Sequence, residues 1–577
     1  MSAGRADGSG ARVSAGRGDG LPLLGLLGVA AALRVVAWQR TVVLFNDGPV
    51  FLAMAEAIRA GRVGPVVAHP YHPLYPAATA LAAGLGLPLE SAAVAVSIAG
   101  GVLSVAAIFF FVREHFDRQA AWLAAWLVAV HPWAIDFSSD VMSDGLYAGL
   151  HLVSFAAMAS LVERPRPAAA AVCGLAGGLA YLVRPEGLGL PLLAAGGLGV
   201  RWLAAPDRRR LTRRVVGALA VLLVAAALCV GPWITAVAAE TGELALTRKK
   251  SLATLAFGAN ARVEEGAAAS APDPIPTSHM PVPTGAPAPS PAPEASRGSG
   301  SGAEPGALPW PAFAETVAGP GAARPKRDLA GALETVSRVL RTSLAAFRYE
   351  LLPFVLGGLL VLRRREGGLG RREAIVLAPI VAYGAVLVLL VWGAGYVSRR
   401  HALASWLPAV AYAAVGWRAG WTQIVGRLVG PRDGGGDRAR AVAPATGVVL
   451  ALVLVLALVW GPRDLRLRRA DRAGLREAAE WLARNHPSSG GVAAQKQRIA
   501  YYAHAPFVPL SAGLEGALEG RLREQGARWV VIERARLGDH LGLEAGLGGW
   551  LRPVHRVPAA PDGAGVRGEV LVLEIAD

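Results

Sequence analysis

The chain reads as an α-helical polytopic membrane protein with a small C-terminal α/β domain outside the bilayer. Three observations carry that class. Of 577 residues, 53% are hydrophobic and only 17% are charged, whereas a soluble domain usually has about 25% charged residues. The apolar residues come in long runs rather than periodic stripes, and a run of about 20 is what a helix needs to cross the bilayer core. The arginines gather in every second loop between those runs, as membrane orientation requires.

The runs predict about 11 transmembrane helices, near residues 21–38, 91–112, 120–134, 141–162, 167–183, 187–203, 214–236, 346–362, 373–394, 401–417 and 442–460. Helix is the form they must take, because lipid offers the backbone no hydrogen-bond partner. The first run reads as a retained helix rather than a cleaved leader. With the tail 1–20 (Arg5, Arg12, Arg17) in the cytoplasm, the cytoplasmic loops are 113–118, 163–166, 201–214, 363–372 and 418–440. They hold most of the arginine clusters, RRRLTRR and RRREGGLGRR among them. The C-terminus then lies outside. The net charge of +16 therefore follows from topology and does not point to nucleic acid, which would need a basic face or tail. Cys173 and Cys229 lie inside apolar runs and read as small core residues, with no disulfide or metal role.

Within the transmembrane module, 21–460, two extracytoplasmic pieces are long. The first outer loop, 39–90, contains an amphipathic helix over 48–60, with Phe51, Met54, Ala55 and Ile58 on one face, and a second short helix after Pro73. The second piece, 238–345, has a centre, 267–325, so rich in Pro, Ala, Gly and Ser that it cannot bury enough apolar surface to offset ordering entropy. Disorder is expected there. The tail domain, 462–577, has soluble patterning: helices over 475–485 and 514–525, and strands at Trp529–Glu533 and 569–575. It shows no phosphate loop, metal-spaced His/Cys set or nucleophile elbow.

The chemistry-bearing stretch is FNDGPVFLAMAEAIRAGRVGPVVAHPYHPLYP in the first outer loop. Asp47 stands just past the outer end of the first helix. One reading is that it caps the helix beginning at Gly48. The other is that it acts as a general base at the membrane surface, taking the proton of an attacking hydroxyl.

Five motifs in order then resemble a known group. Asp47 is followed by Phe51-Leu52-Ala53-Met54-Ala55, then by His72-Pro73-Leu74-Tyr75-Pro76. Ser139-Asp140-Val141-Met142-Ser143-Asp144 opens the fourth helix, Tyr181 to Gly187 reads YLVRPEG, and Tyr396-Val397-Ser398-Arg399-Arg400-His401 forms a late outer turn. Over about residues 20–460 this is similar to the GT-C glycosyltransferases, specifically bacterial relatives of the protein O-mannosyltransferases and of the aminoarabinose transferase. Many members have Asp-Glu in the first loop, where this chain has Asp47-Gly48.

The resemblance implies Asp47 as catalytic base. His69, His72 and Tyr75 are candidates for substrate contact, with structural roles the alternative for the histidines. Asp140 and Asp144, four apart and so expected on one helix face, are candidates for substrate or cation contact, or for stabilising a helix N-terminus. Arg184 and Glu186 either bind sugar hydroxyls or form a local ion pair. Arg399, Arg400 and His401 form a basic outer cluster against the positive-inside trend. They suit a leaving phosphate, with headgroup anchoring as the competitor. A divalent metal ion is left open.

The implied reaction is transfer of a sugar from a polyprenyl-phosphate donor to a hydroxyl acceptor on protein, lipid or glycan. Single displacement with inversion would take place at the inner membrane of a bacterium. The alternatives are a transporter or flippase of lipid-linked sugars, for which Arg34 is the main helix-interior candidate, and a non-catalytic membrane scaffold.

Overall fold

The structure is a computed structural model. It describes residues 19–242, 244–247, 328–366, 370–429, 437–487, 490–510, 518–559 and 568–576. The expected disordered stretch 267–325 and nearly all of the tail 1–20 lie outside the described residues.

Each of the eleven apolar segments holds a helix. Five helices among the described residues are by themselves long and apolar enough to cross a membrane: Gly20–Gln39 (α1), Leu89–His115, Asp144–Glu163, Arg208–Thr241 and Arg371–Ala394. A sixth span arises if Leu329–Phe347 and Tyr349–Arg365, bent by 77°, are taken together. The bend falls at Arg348, whose φ is +77°. The segment expected as 346–362 is therefore preceded by an amphipathic helix that the apolar-run reading passes over. Two other segments are broken by proline. Over 120–134 the helix Arg118–Ala129 stops before Pro132, and a short helix, Pro132–Asp136, restarts with His131 accepting from Ala134 N–H. Over 401–417 the chain forms Arg399–Trp406, a turn at Leu407–Ala409 containing Pro408, and then Val410–Val429. Proline lacks the N–H that would continue the ladder.

Between α1 and the next span, the expected pair of surface helices appears as Gly48–Arg59 (α2) and Leu74–Gly84, with a short turn, Gly64–Ala68, between them. Phe51, Leu52, Met54 and Ala55 of α2 are buried. Phe51 stacks on Tyr71 at 5.0 Å and meets Tyr75 edge-on at 4.9 Å, so the loop has its own aromatic core.

The spans Leu89–His115 and Asp144–Glu163 cross closely at glycines. A Cβ on Gly145 would lie 2.5 Å from Ser97 O, and one on Gly149 would lie 2.5 Å from Gly100 O. Small residues let helix backbones meet where lipid gives no hydrophobic drive for association. This crossing sets the height of Asp144. Gly145→Leu is expected to destabilise the protein in detergent by roughly 1–3 kcal/mol or more from overpacking, read as a lowered midpoint in thermal unfolding. An unchanged midpoint would mean that the crossing is looser than described.

Arg34 is fully buried in α1. Its Nε donates to Ser138 Oγ at 2.8 Å and its Nη1 to Ala30 O and Ala129 O at 2.9 and 3.3 Å. It ties α1 to neighbouring segments, as a charge in a bundle interior must be tied. At the opposite end from Asp47, Asp19 pairs with Arg113 at 3.3 Å and Asp117 with Arg418 at 2.7 Å.

The C-terminal domain follows the helix Asp437–Asp464. It is a five-stranded mixed sheet of β1 (Gly491–Ala494), β2 (Phe507–Pro509), β3 (Ala527–Glu533), β4 (Leu551–Val557) and β5 (Val570–Ile575), in the order β2-β1-β3-β5-β4. β1 runs parallel to β2 and β3, while β5 is antiparallel to β3 and β4. The uninterrupted apolar runs of β3 and β5 fit a sheet covered on both faces. Val530, Ile532, Leu571 and Leu573 face a core with Leu518, Leu522 and Leu543. Trp529, Val531 and Val572 face the other way, with Ala478 and Leu482 of the helix Ala473–Asn485, in a cluster that runs on into Val43, Leu44, Phe51 and Met54 of the Asp47 loop. The domain is thus docked on the loop through a shared apolar core.

Candidate functional site

Asp47 occupies the N-cap position of α2, but its backbone is already helical, at φ −80° and ψ −11°, and its carboxylate makes no cap bond. Capping needs an extended residue whose oxygen turns back to the first N–H groups. The side chain instead accepts from Arg400 Nη1 at 2.8 Å. Arg400 Nη1 also stands 3.9 Å from Asp144 Oδ2. Arg184 donates to the other oxygen of Asp144, and its Nε lies 3.8 Å from Glu186 Oε2. Three carboxylates and two guanidinium groups therefore alternate in one row.

The row is assembled from four parts of the chain: the start of α2, the first residue of the helix Asp144–Glu163, the turn after the helix Pro167–Val183, and the second residue of the helix Arg399–Trp406. Its middle is the most enclosed part. The side chains of Asp47 and Arg400 are 19% and 20% exposed, those of Asp144 and Arg184 6% and 9%, and that of Glu186 35%. The row is therefore reached from either end, through Asp47–Arg400 or through Glu186. Burial works against the charge on Arg400, but Asp47 and Asp144 outweigh it and raise its pKa. Tyr71 shares a hydrogen bond with Asp47, and burial, reinforced by that carboxylate, pushes the phenol well above its usual range. Beneath the pair lies a cavity lined by Arg34, Ser138, Asp144, Tyr147, Arg400 and Leu403.

The other residues singled out from the sequence divide. His69 Nδ1 accepts from Tyr71 N–H at 3.0 Å within its own turn. His72 packs edge-on against Tyr181 at 4.8 Å and lies 3.5 Å from Thr247 Oγ1. Tyr75 is fully buried, and its hydroxyl is bonded to Ala93 O and Ser97 Oγ at 3.0 and 2.9 Å, so it seats the loop on the bundle.

Asp140 and Asp144 do not share a helix face as their spacing suggests, because the helix opens only at Asp144 and Asp140 lies in the turn before it. Asp140 pairs with Arg469 and accepts from Val141 N–H at 2.7 Å. Burial raises its pKa and Arg469 opposes that rise. The basic turn also splits. Arg400 joins the row, Arg399 lies over the Trp133 ring at 4.5 Å, and His401 Nδ1 accepts from Ser398 N–H at 3.3 Å in a helix cap.

Residues 68–235 match the model of the dolichyl-phosphate-mannose-protein mannosyltransferase family. No curated protein matches the chain. Among solved structures, ArnT from Cupriavidus metallidurans in its apo state superposes with a TM-score of 0.55 at 15% identity, covering 96% of this chain and 98% of that one. The same protein bound to undecaprenyl phosphate gives 0.52 at 14% identity with the same coverage. The archaeal oligosaccharyltransferase AglB from Archaeoglobus fulgidus gives 0.46 at 14% identity, covering 89% of this chain and 70% of that one. The chain has the GT-C fold.

In this GT-C fold the Asp47 loop is gripped from the far end of the sequence. Val42 N–H donates to Arg468 O at 3.1 Å, and Arg468 N–H donates to Arg40 O at 2.8 Å. Val42 O accepts from Arg476 at 2.7 Å, Val43 O from Arg469, and Leu44 O from Arg498 at 3.3 Å. Leu44 N–H donates to the Tyr502 hydroxyl at 2.9 Å. Arg468 also meets Asp136 at 3.0 Å and Ser139 Oγ at 2.6 Å. None of these tail residues stands out by motif. The signal available was the arginine run from Arg463 to Arg472, which follows the last helix on the side where positive charge should be scarce.

Tyr502→Phe removes the hydroxyl that accepts from Leu44 N–H. Losing one buried bond costs about 1–2 kcal/mol, so amide exchange at 42–44 is expected to speed up roughly tenfold by hydrogen-exchange mass spectrometry. Equal protection in both proteins would remove the tyrosine from the grip.

No three His, Cys, Asp or Glu side chains converge on one point among the described residues. Asp47 and Asp144 are bridged by Arg400.

Proposed function

We propose that this GT-C chain is a membrane glycosyltransferase. It moves a sugar from a polyprenyl-phosphate donor to a hydroxyl on a protein, lipid or glycan acceptor, with Asp47 as general base. The single observation that carries the reading is the Asp47–Arg400 pair at one accessible end of a charged row. A base and a phosphate ligand of opposite charge stand together at the edge of the bundle, where a lipid tail would hold a phosphate. The family match over 68–235 supports the reaction class.

In the resting protein Arg400 donates to the Asp47 side chain. A donor phosphate would draw Arg400 towards its own oxygens, leaving the Asp47 carboxylate to take a proton. The acceptor oxygen then forms its bond to the anomeric carbon as the bond from that carbon to the phosphate oxygen breaks. The acceptor proton passes to Asp47, and the electron pair leaves with polyprenyl phosphate. One displacement inverts the configuration. Arg400 faces the charge that grows on the leaving phosphate, where a preorganised cation lowers the barrier most. Asp144, fixed by Arg184, keeps Arg400 in register when Asp47 lets go. The site then faces the extracytoplasmic side of a bacterial inner membrane, with the N-terminus in the cytoplasm and the C-terminal domain outside.

The test is turnover of a panel of polyprenyl-phosphate sugars by purified full-length protein. Release of polyprenyl phosphate with any donor is expected. Folded protein that turns over none would favour a transporter or scaffold.

A further inference from the structure

Beside Asp47 the C-terminal domain brings together more positive charge than its carboxylates balance. Arg469 and Arg498 donate to Val43 O and Leu44 O, and Arg472 and Lys496 lie close enough to Arg498 for their charges to act on one another. Arg469 is engaged by Asp140 and Val43 O, with its guanidinium 5.9 Å from the Phe45 ring that also carries Arg400 at 5.0 Å. Arg472 reaches Asp471 only at 3.9 Å.

Arg498 is the anomaly. It is 3% exposed, and its Nη1 donates to Leu44 O at 3.3 Å. Its Nε has no hydrogen-bond partner, and no carboxylate pairs with it, among the described residues. Burial first, then the repulsive charges of Arg472 and Arg469, lower its pKa to about 9. Lys496 is pushed down in the same way, by burial and then by Arg498 and Arg472. A buried cation without a counter-charge is costly. That cost falls sharply when an anion arrives.

A tetrahedral oxyanion suits these three groups. It can offer one oxygen to the Arg498 Nε and others to the Lys496 ammonium and the Arg472 fork, which a planar carboxylate with two oxygens serves less fully. We propose that Arg472, Lys496 and Arg498 form a phosphate-binding site, contributed by the C-terminal domain and separate from Arg400. The phosphate is either that of a lipid-linked molecule or that of a soluble ester. The chemistry recognised is the same.

The experiment measures binding rather than turnover, so it stands apart from the reaction proposed above. Full-length protein in detergent is titrated with inorganic phosphate and, separately, with a short-chain polyprenyl phosphate. Thermal unfolding is the readout, with chloride at equal ionic strength as control. Wild type is compared with Lys496→Gln and Arg472→Gln, both half-buried positions where folding should survive, and with Arg498→Gln. At least a tenfold loss of affinity for either probe in Lys496→Gln and Arg472→Gln is expected. Loss confined to inorganic phosphate assigns the site to a soluble ester, and loss with the polyprenyl probe assigns it to a lipid. Equal binding of both probes by wild type and these two variants, or no binding of either by wild type, overturns the site, whether or not Arg498→Gln folds.

Discussion

Asp47→Asn should abolish sugar transfer while leaving the protein folded. General-base catalysis contributes roughly 10²–10⁴ in rate, so release of polyprenyl phosphate in a single turnover is expected to fall by about that factor. The amide keeps the shape of the side chain and an oxygen that can still accept from Arg400, so the pair at 2.8 Å loses charge rather than contact. Donor binding should therefore persist, or tighten, since Arg400 is released from its carboxylate. The informative pattern is a lost chemical step with retained donor affinity and an unchanged melting profile. Wild-type rates in the variant would remove Asp47 from the reaction. A loss of both donor binding and folding would make it a structural anchor instead.

Arg400→Gln carries the second large effect. Arg400 touches both Asp47 and Asp144, so the substitution leaves two carboxylates facing each other without the cation between them. Removing one preorganised stabiliser of transition-state charge typically costs about 10²–10³ in rate. Arg400→Lys should recover part of that, because a point charge remains but the two-pronged geometry is gone. The double variant with Asp47→Asn should be no slower than the worse single one, since two groups acting as a unit do not add. Full additivity would mean that the two residues serve separate steps.

Long-run hydropathy reads the bundle well because lipid leaves a buried backbone few choices. It fails where a proline interrupts the ladder, as at Pro132 and Pro408, and where an amphipathic helix precedes a bend, as at Arg348. The first loop was legible down to its helices, since α2 follows its apolar face and starts beside Asp47. Periodicity misled at Asp140 and Asp144, because a spacing of four implies one face only inside a helix and the helix begins at the second of them. Neighbouring positions also diverge: Arg399 goes to Trp133 and Arg400 to Asp47, a choice set by which way a helix start faces, which no local pattern encodes. The grip of the tail domain on Val42–Leu44 was the least legible part. It uses backbone groups of one segment and side chains of another, far apart in sequence, and backbone groups leave no trace in residue identity.

The same grip has a bearing on how the protein is made. Leu44 and Tyr502 are 458 positions apart. At synthesis rates of roughly 5–20 residues per second, the ribosome reaches the tyrosine about 20–90 s after it has delivered the leucine. During that interval the first loop has emerged but lacks the groups that fix its backbone. A chain cut short after its last span would insert its helices and still leave Asp47 on an unanchored segment. The backbone of Val42–Leu44 thus gains its partners from Arg469, Arg476, Arg498 and Tyr502 only after the tail domain has been made.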